Sequence, residues 1–233
     1  MKNNKRKTFS RRVIVQMVFF VVIIPFLPLL IAWRWRWWEA WTYALVCILG
    51  FVISRALAAR RSPDLLAERA RFTRHENAEP WDRLLAPLVG LGGGLIPLVA
   101  GLDARFDWSP TFSLPIKLAA LSVILAGYGL GSYALIENRY FSGMVRIQAD
   151  RGHRVVSSGP YRWVRHPGYA GALLAYLATP FFLDTLWAFL PVLCLTMVLV
   201  IRTAREDQTL RDKLQGYRDY AKRVRYRLLP GVW

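Results

Sequence analysis

Acidic residues are scarce in this sequence. Its 233 residues include 15 aspartates and glutamates against 32 lysines and arginines, a formal net charge of +17. Such an excess is typical of proteins that bind nucleic acid and of proteins whose basic residues flank membrane helices. No nucleic-acid-binding motif accompanies the charge, so we expect no nucleic acid partner. We interpret the cations as residues beside membrane helices, where they attract anionic lipid headgroups.

Cysteine and histidine are scarce as well. The two cysteines, Cys47 and Cys194, each fall inside an apolar run, which favours core packing over a disulfide or a metal site. The three histidines, His75, His153 and His166, are far apart and lack the spacing of zinc ligands. We therefore expect no metal.

Charged residues are also missing from the middle of the apolar runs, which argues against an ion pathway. Hydrophobic residues make up 55% of the chain and gather into runs of about 20 residues, the length that crosses a bilayer. These runs predict an all-α fold, a polytopic membrane helical bundle with about five to six transmembrane helices in one structural domain. The long runs are Val13–Trp33, Ala40–Ala59, Leu84–Leu102 and Ile116–Ile136.

A cleaved signal peptide is the alternative for the first run. The run is long enough to span a bilayer, and no small-x-small cleavage site follows it. The segment behind it is Trp33-Arg34-Trp35-Arg36-Trp37-Trp38. This favours a retained helix with an interfacial aromatic belt.

Two shorter runs, Tyr169–Phe182 and Thr185–Ile201, predict a tight helical hairpin, and the sequence leaves open whether it crosses the membrane fully. With six crossings, the distribution of lysine and arginine puts both termini in the cytoplasm. A strongly basic chain without a sorting extension fits a bacterial inner membrane. We expect an integral membrane protein with the lipid bilayer as its first partner.

Glycines are concentrated in the third and fourth runs. Four of them lie between positions 90 and 94, where close approach of helices competes with a phosphate-binding loop. No Lys-Ser/Thr follows, which favours helix packing. In the fourth run, Gly127, Gly129 and Gly131 cannot all share one helix face, so we expect part of that surface to border a ligand.

The most informative stretch is the polar, aromatic segment 159–171 in front of the hairpin. Gly159-Pro160 and Pro167-Gly168 bracket it, so the backbone turns twice within a few residues. Pro167 pushes His166 out of the helical region and marks a helix start, whose free N–H groups form a positive end. The plainer interpretation is arginines that reach lipid headgroups, an aromatic belt and one structural histidine.

A second polar cluster, Arg202-Thr203-Ala204-Arg205-Glu206-Asp207, follows the hairpin. Arg202 and Glu206 lie four residues apart on one helix face, and the plainer interpretation is a solvated ion pair worth a few tenths of a kcal/mol. Because the hairpin returns the chain to the side it left, the two clusters are expected to meet. They predict a cytoplasm-facing polar pocket for a charged small molecule, open to a lipid-soluble one.

The motif Gly159-Pro160-Tyr161-Arg162-x-Val164-Arg165-His166-Pro167-x-Tyr169-x-Gly171, followed by Arg202-x-x-x-Glu206-Asp207, resembles the signature of the integral-membrane methyltransferases. These form the superfamily of isoprenylcysteine carboxyl methyltransferase and phospholipid N-methyltransferase. The resemblance covers roughly Glu137 to Trp233. It divides the single domain into N-terminal transmembrane helices and loops, 1–136, and a methyltransferase-like half, 137–233.

The resemblance implies an S-adenosylmethionine pocket built from the Arg-His-Pro segment, the hairpin and the helix behind it. The cofactor-binding residues carried over are Gly159, Tyr161, His166, Pro167, Tyr169, Gly171 and Glu206. The catalytic or substrate-orienting residues are Arg165, Arg202 and Glu206. Where the superfamily commonly has Glu-Glu, this chain has Glu206-Asp207, so a role for Asp207 is the less certain transfer.

The implied activity is methyl transfer from S-adenosylmethionine to a small lipophilic acceptor that enters from the bilayer. A carboxylate acceptor needs no general base, whereas an amine acceptor needs one, with His166 and Glu206 as candidates. The sequence leaves O- and N-methylation open.

Two other functions compete with this one. Membrane sterol-type reductases, which use NADPH, are similar in the Arg-His-Pro-x-Tyr segment and in the tail Val224-x-Tyr226-Arg227-x-x-Pro230-Gly231, although the chain is short for that group. A non-enzymatic membrane protein, such as a small transporter or an assembly factor, is the third possibility.

Overall fold

The computed structural model describes residues 18–70 and 77–233, and within these ranges the chain is helical with no strand. The basic N-terminal tail and His75 lie outside the described residues. The α-helices are α1 (Ile24–Ala32), α2 (Trp38–Arg61), α3 (Pro63–Ala70), α4 (Asp82–Phe106), α5 (Leu114–Glu137), α6 (Pro167–Phe182), α7 (Phe189–Lys213) and α8 (Tyr217–Arg223). A wider π-helical turn, Phe19–Ile23, runs directly into α1.

Among the described residues, three helices are long and apolar enough to cross a membrane: α2, α4 and α5. The apolar segment Phe19–Ala32 is shorter. Many side chains on the outside of these helices are large and apolar, such as Leu45, Leu91 and Leu125, as expected of surfaces that face lipid. The predicted all-α membrane bundle is confirmed.

The glycines of α4 serve helix packing. A methyl group on Gly92 would lie 3.0 Å from Leu195 on α7, and one on Gly94 would lie 3.1 Å from Ile24 on α1. A methyl group on Gly93 would lie 3.2 Å from the hydroxyl of Tyr176 on α6. Because Gly92–Gly94 meet three different neighbours inside a continuous helix, the packing interpretation is correct here.

Helices α5 and α6 approach each other more closely still. A methyl group on Gly127 would lie 2.5 Å from the carbonyl oxygen of Gly171, and one on Gly171 would lie 2.5 Å from that of Gly127 and 2.8 Å from the amide nitrogen of Gly131. Only glycine allows such backbone contact. Gly127 and Gly131 therefore face a neighbouring helix, and the ligand border expected on part of this surface stays a prediction.

The predicted hairpin is present, and its return helix is longer than the apolar run. Helix α6 ends at Phe182, the chain turns through Asp184 with a φ of 54°, and α7 continues as one helix through the charged segment to Lys213. This continuity carries Arg202 and Glu206 back to the level of the start of α6.

The two cysteines differ. Cys47 is buried and its sulfur accepts a hydrogen bond from the hydroxyl of Tyr128, at 3.1 Å. Cys194 is exposed on α7, so its predicted core position is wrong. An apolar side chain on the outside of a membrane bundle faces lipid, which a composition argument cannot tell from a core.

Candidate active site

A cavity lies where the loop after α5, the start of α6 and the polar part of α7 meet. Its empty space, counted together with the open mouth, is about 800 Å³. The part that the centre of a water molecule can reach is about 100 Å³, so the cavity is narrow. Six predicted site residues line it: Tyr161, Arg165, His166, Tyr169, Arg202 and Glu206.

The local backbone explains how the first cluster reaches the cavity. Gly159–Arg162 forms a 3₁₀ turn, and His166, with φ of −125° and ψ of 61°, leaves the helical region directly before Pro167 opens α6. Proline restricts the residue in front of it in this way and suits the first helical position. The two turns aim Tyr161 and His166 into one space.

Arg165 fastens this segment to α7 and to the C-terminal tail. Its Nε lies 2.6 Å from Asp207 Oδ1 and its Nη2 lies 3.1 Å from Oδ2, a two-pronged pair with both side chains buried. Its Nη1 donates to the carbonyl oxygens of Val224 and Arg225, each at 2.7 Å. All of these donors face protein, so Arg165 positions the cavity wall.

Asp207, which sequence reasoning left uncertain, is the centre of this arrangement. Besides Arg165 it accepts hydrogen bonds from Tyr217 Oη at 2.9 Å, Arg211 Nε at 3.0 Å and Arg227 Nε at 3.1 Å. Burial alone would raise its pKa, but the neighbouring side chains of His166 and Arg165 outweigh burial and hold the pKa well below the usual value. The sequence signal that pointed to Asp207 was its position directly after Glu206.

His166 is the exception among the buried groups. Its side chain is buried, its ring lies parallel to that of Tyr169, and its Nε2 is 3.6 Å from Asp207 Oδ1, beyond hydrogen-bond distance. Within the described residues, this Nε2 is the one buried side-chain nitrogen or oxygen without a hydrogen-bond partner. Buried polar atoms are normally satisfied, so a ligand atom is the expected partner.

Glu206 is half-buried and offers a second free atom. Its Oε2 accepts a hydrogen bond from the hydroxyl of Tyr169 at 2.7 Å. Its Oε1 has no partner in the part of the chain that the structure describes. The carboxylate is thus oriented by one oxygen and free at the other.

Arg202 does not pair with Glu206, contrary to the plainer interpretation of their spacing. Its Nε and Nη2 lie 2.7 and 2.9 Å from the two oxygens of Asp82, at the start of α4, and Nη2 also donates to Gly143 O at 2.8 Å. Its guanidinium carbon stands 5.4 Å from the ring centre of Tyr169. The N-terminal half therefore contributes Asp82 to the site, a residue that no local motif marked.

His153 is a further lining residue that the sequence analysis did not select. Its Nδ1 accepts a hydrogen bond from the Gln148 amide at 3.3 Å, and its ring lies 4.5 Å from that of Tyr140. Burial, together with the charges of Arg146 and Arg151, lowers the pKa of His153 to about 4, so the imidazole is neutral near pH 7.

Three of the predicted cofactor residues do not line the cavity. Gly159 has a φ of 55° and lies against Glu137 and Tyr133, where a side chain would be strained and crowded. Pro167 begins α6, and Gly171 packs on α5. Their part in cofactor binding stays a prediction, and the contacts seen are those of chain folding.

The part of the chain that forms the cavity is similar in sequence to known proteins. The sequence profile of the Isoprenylcysteine carboxyl methyltransferase (ICMT) family matches residues 119–212, which include the Arg-His-Pro segment, the hairpin and Glu206. The resemblance to the integral-membrane methyltransferases is thus confirmed over this segment. It begins within α5 and stops before the C-terminal tail.

Curated relatives point in two directions. A "Delta(14)-sterol reductase TM7SF2" of Mus musculus is 37% identical over 152 residues, which is 59% of this chain and 36% of that protein. A "Probable protein-S-isoprenylcysteine O-methyltransferase" of Oryza sativa subsp. indica is 28% identical over 117 residues, 47% of this chain and 59% of that protein. "Protein-S-isoprenylcysteine O-methyltransferase B" of Arabidopsis thaliana is 28% identical over 112 residues, 45% of this chain and 54% of that protein. The matches thus span about a third to three fifths of these relatives' lengths.

The residues of the cavity fit S-adenosylmethionine. Its ammonium and ribose hydroxyl groups need acceptors, which the free oxygen of Glu206 offers. The unsatisfied Nε2 of His166 offers one further polar contact. The aromatic rings of Tyr161, Tyr169 and Tyr217 give the walls an apolar part.

Proposed function

We propose that this protein transfers a methyl group from S-adenosylmethionine to a small lipophilic acceptor at the surface of a membrane. The proposal is supported by one observation above all: α7 carries Glu206 to the same cavity as His166, although 40 residues of mostly apolar hairpin separate them. The profile match over residues 119–212 agrees with it.

The protein's own groups have distinct tasks in this proposal. Glu206, oriented by Tyr169, binds the cofactor's amino or hydroxyl groups. Arg165 and Arg202, each held by a carboxylate, position the segments that carry His166 and Tyr169. The bound cofactor supplies a methyl group already activated on sulfur, so the residues need only align the acceptor and exclude water.

The acceptor enters from the bilayer in this proposal, on the side where α5 and α6 meet the cavity loop. A carboxylate acceptor is consumed as the anion and needs no base. An amine must lose a proton, and then Glu206 or His166 is the general base. We propose further that both termini lie in the cytoplasm, as in a bacterial inner membrane protein, because basic residues flank membrane helices mostly on that side.

Calorimetry on the purified full chain with S-adenosylhomocysteine tests the proposal. We expect His166→Ala and Glu206→Gln each to weaken binding about tenfold or more, the effect of removing a hydrogen bond to a charged group. Asp212→Asn is the matched control, because Asp212 is exposed and lies six residues further along α7. Wild-type affinity in both cavity variants would contradict the assigned site.

A second candidate function, an NADPH-dependent reductase, has less support, which is the 37% identity to 36% of the mouse sterol reductase. The same calorimetric experiment with NADPH separates the two proposals. Binding of NADPH together with no heat from S-adenosylhomocysteine would replace the methyltransferase proposal by the reductase. Binding of neither compound would favour a non-enzymatic membrane protein.

A further inference from the structure

Most arginines of this protein that are buried or half-buried form ion pairs with carboxylates. Within residues 18–70 and 77–233, eight arginine side chains belong to buried or half-buried residues, and six of them form ion pairs. The paired ones are Arg146, Arg151, Arg165, Arg202, Arg211 and Arg227. The two exceptions, Arg55 and Arg69, lie on α2 and α3, two helices that pack against each other.

Arg55 lies on α2, six residues before the helix ends at Arg61, about 9 Å along the axis. Its Nη1 donates to Ser54 Oγ at 2.9 Å, and its guanidinium stands 3.9 Å from the ring centre of Phe51. Neither partner is charged. An arginine at this depth in a membrane helix is costly unless an anion or an aqueous path compensates it.

Arg69, on α3, has the same deficiency. Its Nη1 donates to the carbonyl oxygen of Phe141 at 3.1 Å, with the Phe141 ring centre 5.4 Å away. Phe141, Tyr169 and Arg202 line the cavity, and the charge of Arg202 acts on Arg69. Burial lowers the pKa of Arg69 to about 10, so it stays protonated at neutral pH.

The helices that carry the two guanidinium groups, α2 and α3, pack against each other. Two buried like charges on packed helices destabilise a fold when neither has an anion, and an anion that binds both removes the repulsion. A guanidinium binds carboxylate and phosphate oxygens with forked hydrogen bonds. The apolar residues Val52, Ile53 and Leu57 are exposed on the same part of α2, as a hydrocarbon chain would require.

We propose that Arg55 and Arg69 form a binding site for the anionic head of a membrane amphiphile, on the bilayer side of the cavity. The site belongs to the N-terminal part of the chain, outside residues 119–212 that match the methyltransferase profile. It does not require that the protein transfer methyl groups. Its ligand chemistry is a phosphate or carboxylate attached to an acyl-like chain, which a resident phospholipid and an acidic lipophile share.

Native mass spectrometry of the full chain in a neutral detergent tests the site, with phosphatidylglycerol, phosphatidylcholine and palmitate as probes. We expect wild type to retain phosphatidylglycerol or palmitate in preference to the zwitterionic lipid. Arg55→Gln and Arg69→Gln should each reduce that preference about fivefold to tenfold. Stronger retention of phosphatidylglycerol identifies a phospholipid as the source, and stronger retention of palmitate identifies an acidic lipophile.

Arg60→Gln is the matched control, because Arg60 lies on the same helix, is exposed and has no partner in the described residues. It should change the preference less than twofold. An equal loss in Arg60→Gln, or no loss in the other two variants, would overturn the proposal.

Melting temperature gives a second readout. Phosphatidylglycerol should raise the melting temperature of wild type and of Arg55→Lys, which keeps the charge, but not that of Arg55→Gln. In detergent without anionic lipid, Arg55→Gln should melt no lower than wild type, because it removes one of two repelling charges. A variant that fails to fold would therefore count against the proposal.

These results are independent of the cofactor. Arg55 and Arg69 do not line the cavity, so binding of S-adenosylhomocysteine should survive both substitutions. Failure of cofactor binding in the wild type would remove the methyltransferase proposal and leave the lipid site intact. If the wild type shows no preference for anionic lipid but binds S-adenosylhomocysteine, the lipid site is refuted and the methyltransferase proposal stands.

Discussion

The two ends of the helical bundle both contain buried charges, and they differ in whether those charges are satisfied. At the end that holds the hairpin turn, Lys117 lies between Glu39 and Asp184, and Asp103 accepts hydrogen bonds from Thr185 Oγ1 at 2.6 Å and the Trp187 amide at 3.2 Å. At the cavity end, His166 Nε2 and one oxygen of Glu206 lack partners within the described residues.

This difference indicates that the hairpin-turn end stabilises the fold, whereas the cavity end can bind a ligand. The closed network around Lys117 fastens the turn between α6 and α7 to α2 and α4, and it leaves nothing for a ligand to bind. The cavity end has an equally closed network around Asp207, and the unsatisfied atoms lie beside it. A rigid, fully paired frame that presents a few free polar atoms is what a binding site needs.

The largest effect is expected from Asp207→Asn. The change leaves Arg165 buried without its counter-charge, at a cost of about 3–5 kcal/mol. Denaturant unfolding of the detergent-solubilised chain measures the loss. Asp212→Asn, on the exposed side of the same helix, is the control and should change stability by less than about 1 kcal/mol. Equal losses in the two variants would mean that Asp207 is not the centre of the frame.

Lys117→Met tests whether the opposite end is purely structural. Removing the cation leaves Glu39 and Asp184 facing each other, and we expect a loss of about 3 kcal/mol in stability. Affinity for S-adenosylhomocysteine should stay within twofold of wild type, because Lys117 does not line the cavity. A large drop in affinity with intact folding would break the division between the two ends.

How much of this was visible in the sequence depends on the range of each interaction. Apolar runs predicted α2, α4 and α5 nearly to their ends, since run length and the bilayer fix a helix locally. The hairpin logic correctly joined His166 to Glu206. Asp82 was not foreseen, because its partner Arg202 is 120 residues away and nothing near Asp82 marks it.

The glycines of α5 show what a local pattern leaves undecided. The alternate spacing of Gly127, Gly129 and Gly131 gave the same pattern for a ligand border and for a helix contact. Only the position of α6 decides between them, and a single chain segment does not contain that information.

Gly171→Ala and Gly129→Ala form a pair with opposite expected signs. The first places a methyl group 2.5 Å from the Gly127 carbonyl oxygen and should destabilise by about 1–3 kcal/mol. The second meets nothing within 4 Å and should stabilise by up to about 1 kcal/mol, the helix propensity gain of alanine. Thermal melting of the two variants side by side checks this, and destabilisation by both would refute the packing contrast.

The smallest effect concerns pH and belongs to the cavity end alone. The pKa of His153 is about 4 in the folded protein, below the ordinary histidine value of about 6.5, so the unfolded chain binds a proton that the folded chain refuses. Stability contributed by neutral His153 is therefore full above pH 6.5 and falls as the pH drops towards 4. Melting temperatures between pH 7 and pH 4 should decline less steeply in His153→Gln than in wild type. If the melting temperatures of the two proteins fall equally with pH, the His153 imidazole is protonated as readily in the folded protein as in water. Burial and the charges of Arg146 and Arg151 would then have no effect on its pKa.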